Sequence, residues 1–423
     1  MLAGEKMTVS DDIKRLAREA LQRCDVLAGL TEEPGRITRT FLSPPMRDVH
    51  RTVGEWMSAA GMEVRVDGLG NIVGRWPGPA PSARALLIGS HLDTVPNAGR
   101  YDGILGVMLG IAVVEALRDR GLPIGVELVG FSEEEGVRFR TPYLGSKAFV
   151  GRLEPELLDL TGADGRSARE VAKAFGCSGE ASDFNPDGYL GYLEAHIEQG
   201  PVLESLGKPL AVVTGIVGQS RVSVTITGRA AHAGTTPMDL RQDALVAAAH
   251  FVTQVNEFAR QEPGLVATVG RFHVAPNASN VVPGEVQLSV DVRHADDKVR
   301  KQAAGRMIFD RTVLPGVTGC TFASKLDGSF PTVPMDGRLT NLLAVACESI
   351  GAPAHHMASG AGHDAAVVAA VLPSCMLFLR SPGGVSHHPD EAVIPEDVEL
   401  GLAAMVEFVR QLAAEYHAAQ TAR

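Results

Sequence analysis

Gly103-Ile-Leu-Gly-Val-Met-Leu-Gly-Ile-Ala-Val-Val-Glu-Ala-Leu117, followed eight residues later by Val126-Glu-Leu-Val-Gly-Phe131, is the stretch on which the fold turns. The first segment is about fifteen residues long and carries Glu115, too short to span a bilayer, so it reads as a buried helix. The second reads as a short apolar strand that runs directly into Ser132-Glu133-Glu134-Glu135-Gly136. A buried helix beside a buried strand is the repeating unit of an α/β sheet covered on both faces. In such sheets ligands gather beyond the carboxyl ends of the strands, so the polar residues that follow apolar strands are where function is sought first.

The same alternation extends in both directions. Helical periodicity is expected over residues 11–29 and 43–61, with strands at 62–66 and 85–88. Near the other end, helices are expected at 339–350, 364–370 and 395–419, with a strand at 374–379. Between residues 215 and 327 the rhythm changes to strand 221–227, helix 239–260, strands 265–273 and 285–293, helix 296–313 and strand 316–325. That order, βαββαβ, is the ferredoxin-like pattern. The expected architecture is an α/β domain made of residues 1–214 and 328–423, interrupted by an inserted domain at 215–327. Residues 153–188 are polar and give no clear pattern.

A chain of 423 residues suggests two or three domains, large enough to fold without disulfide or metal staples. Its formal charge is −11 and it has no Lys/Arg block, which argues against nucleic acid or an anionic membrane surface as the main partner. Cys24, Cys177, Cys320, Cys347 and Cys375 are odd in number and form no Cys-x-x-Cys pair, as expected of reduced thiols in the cytoplasm. Residues 1–16 mix acidic and basic side chains and contain no signal-peptide core.

Five segments concentrate chemistry. In Gly89-Ser90-His91-Leu92-Asp93, extended backbone puts His91 and Asp93 on one side, so Asp93 can orient the imidazole. Asp102, at the start of the apolar helix, has N-capping as its ordinary use. Glu133, Glu134 and Glu135 repel one another at a strand end unless cations or solvent compensate. His196 and Glu198 alternate with apolar residues and fall on one face of an extended segment. The loop from Ser381 to Glu391 is glycine-rich and carries His387 and His388. Together, His, Asp and Glu side chains from separate strand ends can hold two divalent ions with a carboxylate between them, an arrangement suited to hydrolysing C–N bonds. Glu134, next to a ligand Glu135, is placed to act as the base.

The strings GSHLDTV, GRYDGILGV, FSEEEGVRF, HIEQGP, GRAAHAGTTPM, NVVPG, DVRH, SGAGHDA and SPGGVSHHPDE resemble the metal-dependent aminoacylase/carboxypeptidase superfamily in its hydantoinase/carbamoylase branch, over residues 35–410 and in the family's order. That branch includes allantoate amidohydrolase, N-carbamoyl-L-amino acid hydrolase and β-ureidopropionase. The resemblance implies a metal-bearing α/β domain and an inserted lid that also forms a homodimer contact. It implies that His91 and His196 hold one divalent ion, Glu135 and His387 the other, and Asp102 bridges them, with Glu134 as general base. Zn or Mn is expected, with Co or Ni possible from the same donor set. His232 is expected to stabilise the oxyanion in a neighbouring subunit's site, and Gln219, Asn280 and Arg293 to bind the amide and carboxylate of a small anionic ureido-acid substrate. Asp93 supports the ligands from behind. His363, with Asp364, shapes a loop or caps a helix, and His388 is solvated or supports its neighbour; Glu133 stands where relatives often have Asn.

The run Glu33-Pro-Gly-Arg-Ile-Thr-Arg-Thr-Phe-Leu42 is more similar to allantoate-acting members, which makes allantoate the first expectation and N-carbamoyl-L-amino acids or a β-ureido acid the alternatives. Readings of another class are a non-catalytic ureido-acid binder and a scaffold that only dimerises. Retention of Glu134 beside five ligand positions argues against the binder, which needs no base, and a scaffold predicts no metal by elemental analysis.

Overall fold

In the computed structural model, which describes residues 9–78, 83–309 and 319–421, four apolar segments pair side by side as parallel strands. Ala85–His91 lies between Gly125–Phe131 and Tyr189–Ile197, and Ser374–Leu379 pairs with the far side of Tyr189–Ile197. Antiparallel strands flank this group, with Ile72–Trp76 and then Glu63–Val66 on one side and Leu210–Ile216 on the other. These belong to one nine-stranded sheet. The parallel strands are buried along nearly their whole length, as strands covered by helices on both faces must be. The α/β class read from the sequence holds.

Helix Ile104–Leu117 packs directly on this sheet. A Cβ on Gly106 would collide with the Ala195 carbonyl, and one on Gly110 with the Leu128 side chain, so two glycines one turn apart bring the helix close to the strands. Its one charged residue, Glu115, receives both guanidinium arms of Arg23 at 2.7 and 3.1 Å. Glu127, the one charge inside strand Gly125–Phe131, is likewise paired, with Tyr189 Oη at 2.8 Å and Arg65 at 3.2 Å. Helices Asp11–Ala28, Met46–Ala59, Gly337–Ser349 and Pro395–Thr421 add their apolar faces to the same core. Because the four strands are parallel, their carboxyl ends share one edge: His91 lies opposite Phe131, and Phe378 opposite His196.

The chain divides into two units, Met1–Thr214 with Pro334–Arg423, and Gly215–Val333. The second has strands Gly218–Thr227, Val266–Ala275, Glu285–His294 and Thr321–Phe330 and helices Ala244–Gln261 and Asp297–Phe309. The Thr321 strand pairs with the Gly218 strand, and the Glu285 strand lies between the Gly218 and Val266 strands, every neighbour antiparallel. Alternate residues of the two inner strands are buried in a separate core with Ala247, Phe251 and Ala304. The expected end of a helix at 310–313 and start of a strand at 316–318 lie outside the described residues, as do residues 1–8.

Some differences from the sequence expectation have physical causes. Strand Ala85–His91 reaches three residues past Ile88, because backbone pairing with Gly125–Phe131 continues through the polar Ser90 and His91. Helix Ala168–Phe175 interrupts the patternless polar region; Ser167 and Glu170 form a reciprocal capping box, and Ala168, Val171 and Ala172 bury a narrow stripe against a cluster that includes Phe41 and Phe139. Among the described residues no helix is long and apolar enough to cross a membrane.

His50, on helix Met46–Ala59, is buried with both ring nitrogens unpartnered among the described residues, its ring edge-on to Phe175 at 5.1 Å. Burial, helped by the Arg47 charge, lowers its pKa from 6.5 to about 4. The unfolded chain takes up this proton near pH 6.5 and the folded chain only near pH 4, so His50 makes the fold progressively less stable as pH falls through that window, by about 3 kcal/mol in full. His50→Leu is expected to flatten this part of the stability profile, measured by denaturant unfolding between pH 4 and 7. Identical profiles for variant and wild type would refute the assignment.

Candidate active site and metal centre

His91 ends strand Ala85–His91, and His196 is the penultimate residue of Tyr189–Ile197. His91 Nδ1 lies 3.0 Å from the Asp93 carbonyl and His196 Nδ1 2.9 Å from the Ile197 carbonyl. A carbonyl only accepts, so both Nδ1 atoms carry protons and both Nε2 atoms are left to offer lone pairs. Those Nε2 atoms are 3.5 Å apart, and they stand 3.7 Å (His91) and 3.2 Å (His196) from Asp102 Oδ1. That oxygen is buried and has no hydrogen-bond partner among the described residues.

The other oxygen of Asp102 faces a different set. His387 Nε2 is 3.1 Å from Asp102 Oδ2 and 3.3 Å from Glu135 Oε1. Gln199 Nε2 and Ser386 Oγ donate to the same Oδ2 at 2.9 and 2.8 Å. Two groups able to hold a cation therefore share one carboxylate: His91, Asp102 and His196, fully buried, and Asp102, Glu135 and His387, open to solvent at the half-exposed His387. His91, Glu134 and Glu135 form a further such group, which places Glu134 at the same centre. Glu194, His196 and His363 form another behind it.

The chain is shaped to allow this convergence. Asp102 does not cap the helix: Gly103 occupies the cap position at φ 74°, and a Cβ there would collide with the His91 imidazole. His387 itself adopts φ 56°, an uncommon conformation for a non-glycine residue and one found at functional sites. The Asp93 carboxylate accepts from the amides of Glu134 and Glu135 at 3.0 and 3.1 Å, while its carboxylate is 3.8 Å from His91 Nδ1. It thus clamps the acidic turn, and its backbone carbonyl, not its side chain, orients the imidazole. Arg39, inside the 33–42 run, is buried and donates to the Leu92 and Leu27 carbonyls, so that run supports the His91 loop from beneath.

Several polar residues turn away from the centre. Glu133 Oε1 accepts from the amides of Arg138 and Phe139, locking the turn. Glu198 caps helix Val202–Leu206 through the amides of Val202 and Leu203, so it does not share the face of His196. His388 is exposed and accepts from the Asp390 amide. His363 is buried edge-on to His196 at 4.5 Å, with Nε2 on Ser359 Oγ. The sequence reading missed Gln199, Ser386, Glu194 and Glu391. Gln199 and Ser386 had a visible signal, since Gln199 adjoins Glu198 just past a strand end and Ser386 adjoins His387 in the glycine-rich loop.

The electrostatics describe a site short of positive charge. Burial pushes the carboxyls of Asp93 to about 6, Asp364 and Glu391 to about 7, and Glu194 to about 8, and it raises Glu134 well above the usual range. Burial opposes the charged form of Asp102 as well, but the hydrogen bond from His387, followed by the close approach of the His91 and His196 imidazoles, outweighs it and holds Asp102 well below the usual range. His387 is raised to about 10 by its hydrogen bonds to Asp102 and then Glu135. Unpaired buried charge is costly, so this many carboxyls around converging imidazoles fit bound divalent cations. The orphaned Asp102 Oδ1, between two imidazole nitrogens, is the atom that shows the fit.

The remaining predicted residues lie in the second unit and fall into two pairs. A short ribbon pairs His232 with Val281, and the Ala233 amide donates to the Asn280 carbonyl at 2.9 Å. His232 Nδ1 accepts from the amides of Gly234 and Thr235, which leaves the proton on Nε2. Arg293 lies opposite Gln219 on neighbouring strands, and Asp291 joins them, accepting from Arg293 Nε at 2.8 Å and from Gln219 Nε2.

A sheet edge that gathers imidazoles and carboxylates around a shared aspartate defines a metal-dependent hydrolase. Residues 87–411 match the family described as Peptidase family M20/M25/M40, and the chain belongs to that family. It is 38% identical to a probable allantoate deiminase of Oryza sativa subsp. japonica, over 96% of this chain and 91% of the relative. It is 36% identical to an N-carbamoyl-L-amino acid amidohydrolase of Geobacillus stearothermophilus, over 93% of this chain and 97% of the relative. A crystal structure of an amidase of the hydantoinase/carbamoylase family from Burkholderia multivorans superposes with a TM-score of 0.88 at 33% identity, covering 97% of this chain and 99% of that one. The chain is accordingly a hydrolase of carbon–nitrogen bonds in a metal-dependent family.

If Asp102 serves both groups, Asp102→Asn is expected to abolish the rise in melting temperature that Mn²⁺ gives the wild type, a stabilisation of about 2.7 kcal/mol at a hundredfold excess over Kd. A variant that gains as much stability from Mn²⁺ as the wild type would contradict the shared role.

Proposed function

We propose that this chain hydrolyses the ureido C–N bond of allantoate, releasing one ammonia and carbon dioxide and giving ureidoglycine, from which a second water displaces a second ammonia to give ureidoglycolate. The observation that carries the hydrolytic reading is the division of Asp102, one oxygen toward His91 and His196 and the other toward His387, with Glu134 within reach of the same centre; the choice of allantoate rests on the run from Glu33 to Leu42. His91, His196 and Asp102 would hold one divalent ion and Glu135, His387 and Asp102 a second. Zn or Mn suits this donor set best, and Co or Ni is also accommodated. When bound, such ions polarise the ureido carbonyl and acidify water.

The side chains supply the rest. Glu134 takes the proton of the attacking water and returns it to the leaving nitrogen; its burial, which raises its pKa, favours such shuttling. His232, with its proton held on Nε2, is suited to donate to the carbonyl oxygen in a neighbouring subunit's site as charge develops there. Arg293 binds the substrate carboxylate, with Gln219 and Asn280 on its amide groups, and Asp291 holds Arg293 and Gln219 in register. The first unit is thus the catalytic domain and the second the lid and homodimer contact, in an enzyme of the cytoplasm, where its five free cysteines remain reduced. Relatives named for allantoate and for N-carbamoyl-L-amino acids both cover the chain, so the assay must offer both substrates.

Ammonia release by the metal-reconstituted enzyme is expected from allantoate in preference to a panel of N-carbamoyl-L-amino acids. Preference for any of the latter, or equal rates, would overturn the substrate assignment. Glu134→Gln is expected to lower kcat by about 10²–10⁴ while sparing metal content, measured by elemental analysis. Unchanged turnover would refute the mechanism, and binding of allantoate without turnover by the wild type would favour a non-catalytic ureido-acid binder.

A further inference from the structure

Glu391 lies at the end of the histidine loop, four residues beyond His387, buried and 289 residues from Asp102 in sequence. Its Oε1 accepts from the amides of Tyr101 and Asp102 at 2.8 and 3.1 Å. Its Oε2 lies 3.2 Å from Ser386 Oγ, the hydroxyl that donates to Asp102 Oδ2 at 2.8 Å. One carboxylate therefore touches the backbone of Asp102 directly and its side chain through a single hydroxyl. Gly99 is built around the same group: a Cβ there would collide with the Cβ, Cδ and Oε1 atoms of Glu391. The contacts join residues 99–103, which present Asp102, to residues 386–391, which present His387. They mirror the way Asp93 holds the amides of Glu134 and Glu135.

We propose that Glu391 is a positioning residue that staples the His387 loop to the Asp102 backbone and so builds the exposed half of the centre, formed by Asp102, Glu135 and His387. The buried half shares Asp102, but its two imidazoles are held by other groups. His91 and His196 are fixed by their own strands and by the Asp93 and Ile197 carbonyls. Loss of the staple therefore acts on one ion more than on the other. The inference rests on the two-ion reading above.

The test is titration of the metal-free chain with Mn²⁺ alone, by calorimetry and without substrate. Wild type is expected to show two binding events. Glu391→Ala is expected to weaken one event by about ten- to a hundredfold, the usual consequence of removing a group that orients a ligand, with the other changed less than about threefold. Glu391→Gln keeps an oxygen acceptor for both amides and is expected to retain both events. Gly99→Ala, which leaves Glu391 intact but pushes it aside, is expected to reproduce the selective loss, and it decides the matter if the Glu391→Ala chain does not fold. Equal weakening of both events, or no weakening in either variant, would overturn the positioning role. Fewer than two events in the wild type itself would instead overturn the two-ion reading, and this inference with it.

Discussion

The organisation of the site follows from one buried carboxylate whose two oxygens face different partners. Asp102 Oδ1 stands between two imidazole nitrogens with no hydrogen to receive, while Oδ2 receives Gln199 and Ser386 and faces His387. A lone pair buried without a donor is a cost that the rest of the fold must offset. The surroundings are organised to hold it in place. Glycine at 103 makes room for His91, and Glu391 ties down the Asp102 amide. Parallel pairing brings His91 and His196 to one sheet edge.

The same constraint explains why buried acids crowd behind the centre. Asp93, Glu133 and Glu391 each take two backbone amides, so their oxygens are committed to holding loops in place. Glu194 accepts from the Ala365 amide and the Tyr192 hydroxyl in a similar way. The formal charge of −11 thus says little about what the site attracts. Charge is distributed between structural clamps and groups placed to bind cations, and the latter can make a locally positive site in an acidic protein.

How much was legible in the sequence follows from how local each signal is. Apolar strands followed at once by polar residues announced His91, Glu134, Glu135 and His196, because strand ends and their loops are contiguous in the chain. Asp102 was ambiguous, since an aspartate before an apolar helix ordinarily caps it; only the placement of His91 against Gly103 shows its different use. Glu198 misled, because strict alternation would carry it to the His196 face, whereas the strand ends at Ile197 and the side chain turns to cap the next helix. Glu391 gave no sequence signal of its role, which depends on a pairing across 289 residues. Strands Ile72–Trp76 and Leu210–Ile216 escaped notice because short apolar runs among glycines look like loop until the sheet supplies a neighbour.

The central claim is that Asp102 joins two cations. Anomalous diffraction from crystals grown with Mn²⁺ tests it most directly. The account predicts two peaks about 3.5–4 Å apart, one beside His91 and His196 and one beside Glu135 and His387, with Asp102 between them. A single peak, or two peaks that do not share Asp102, would contradict it.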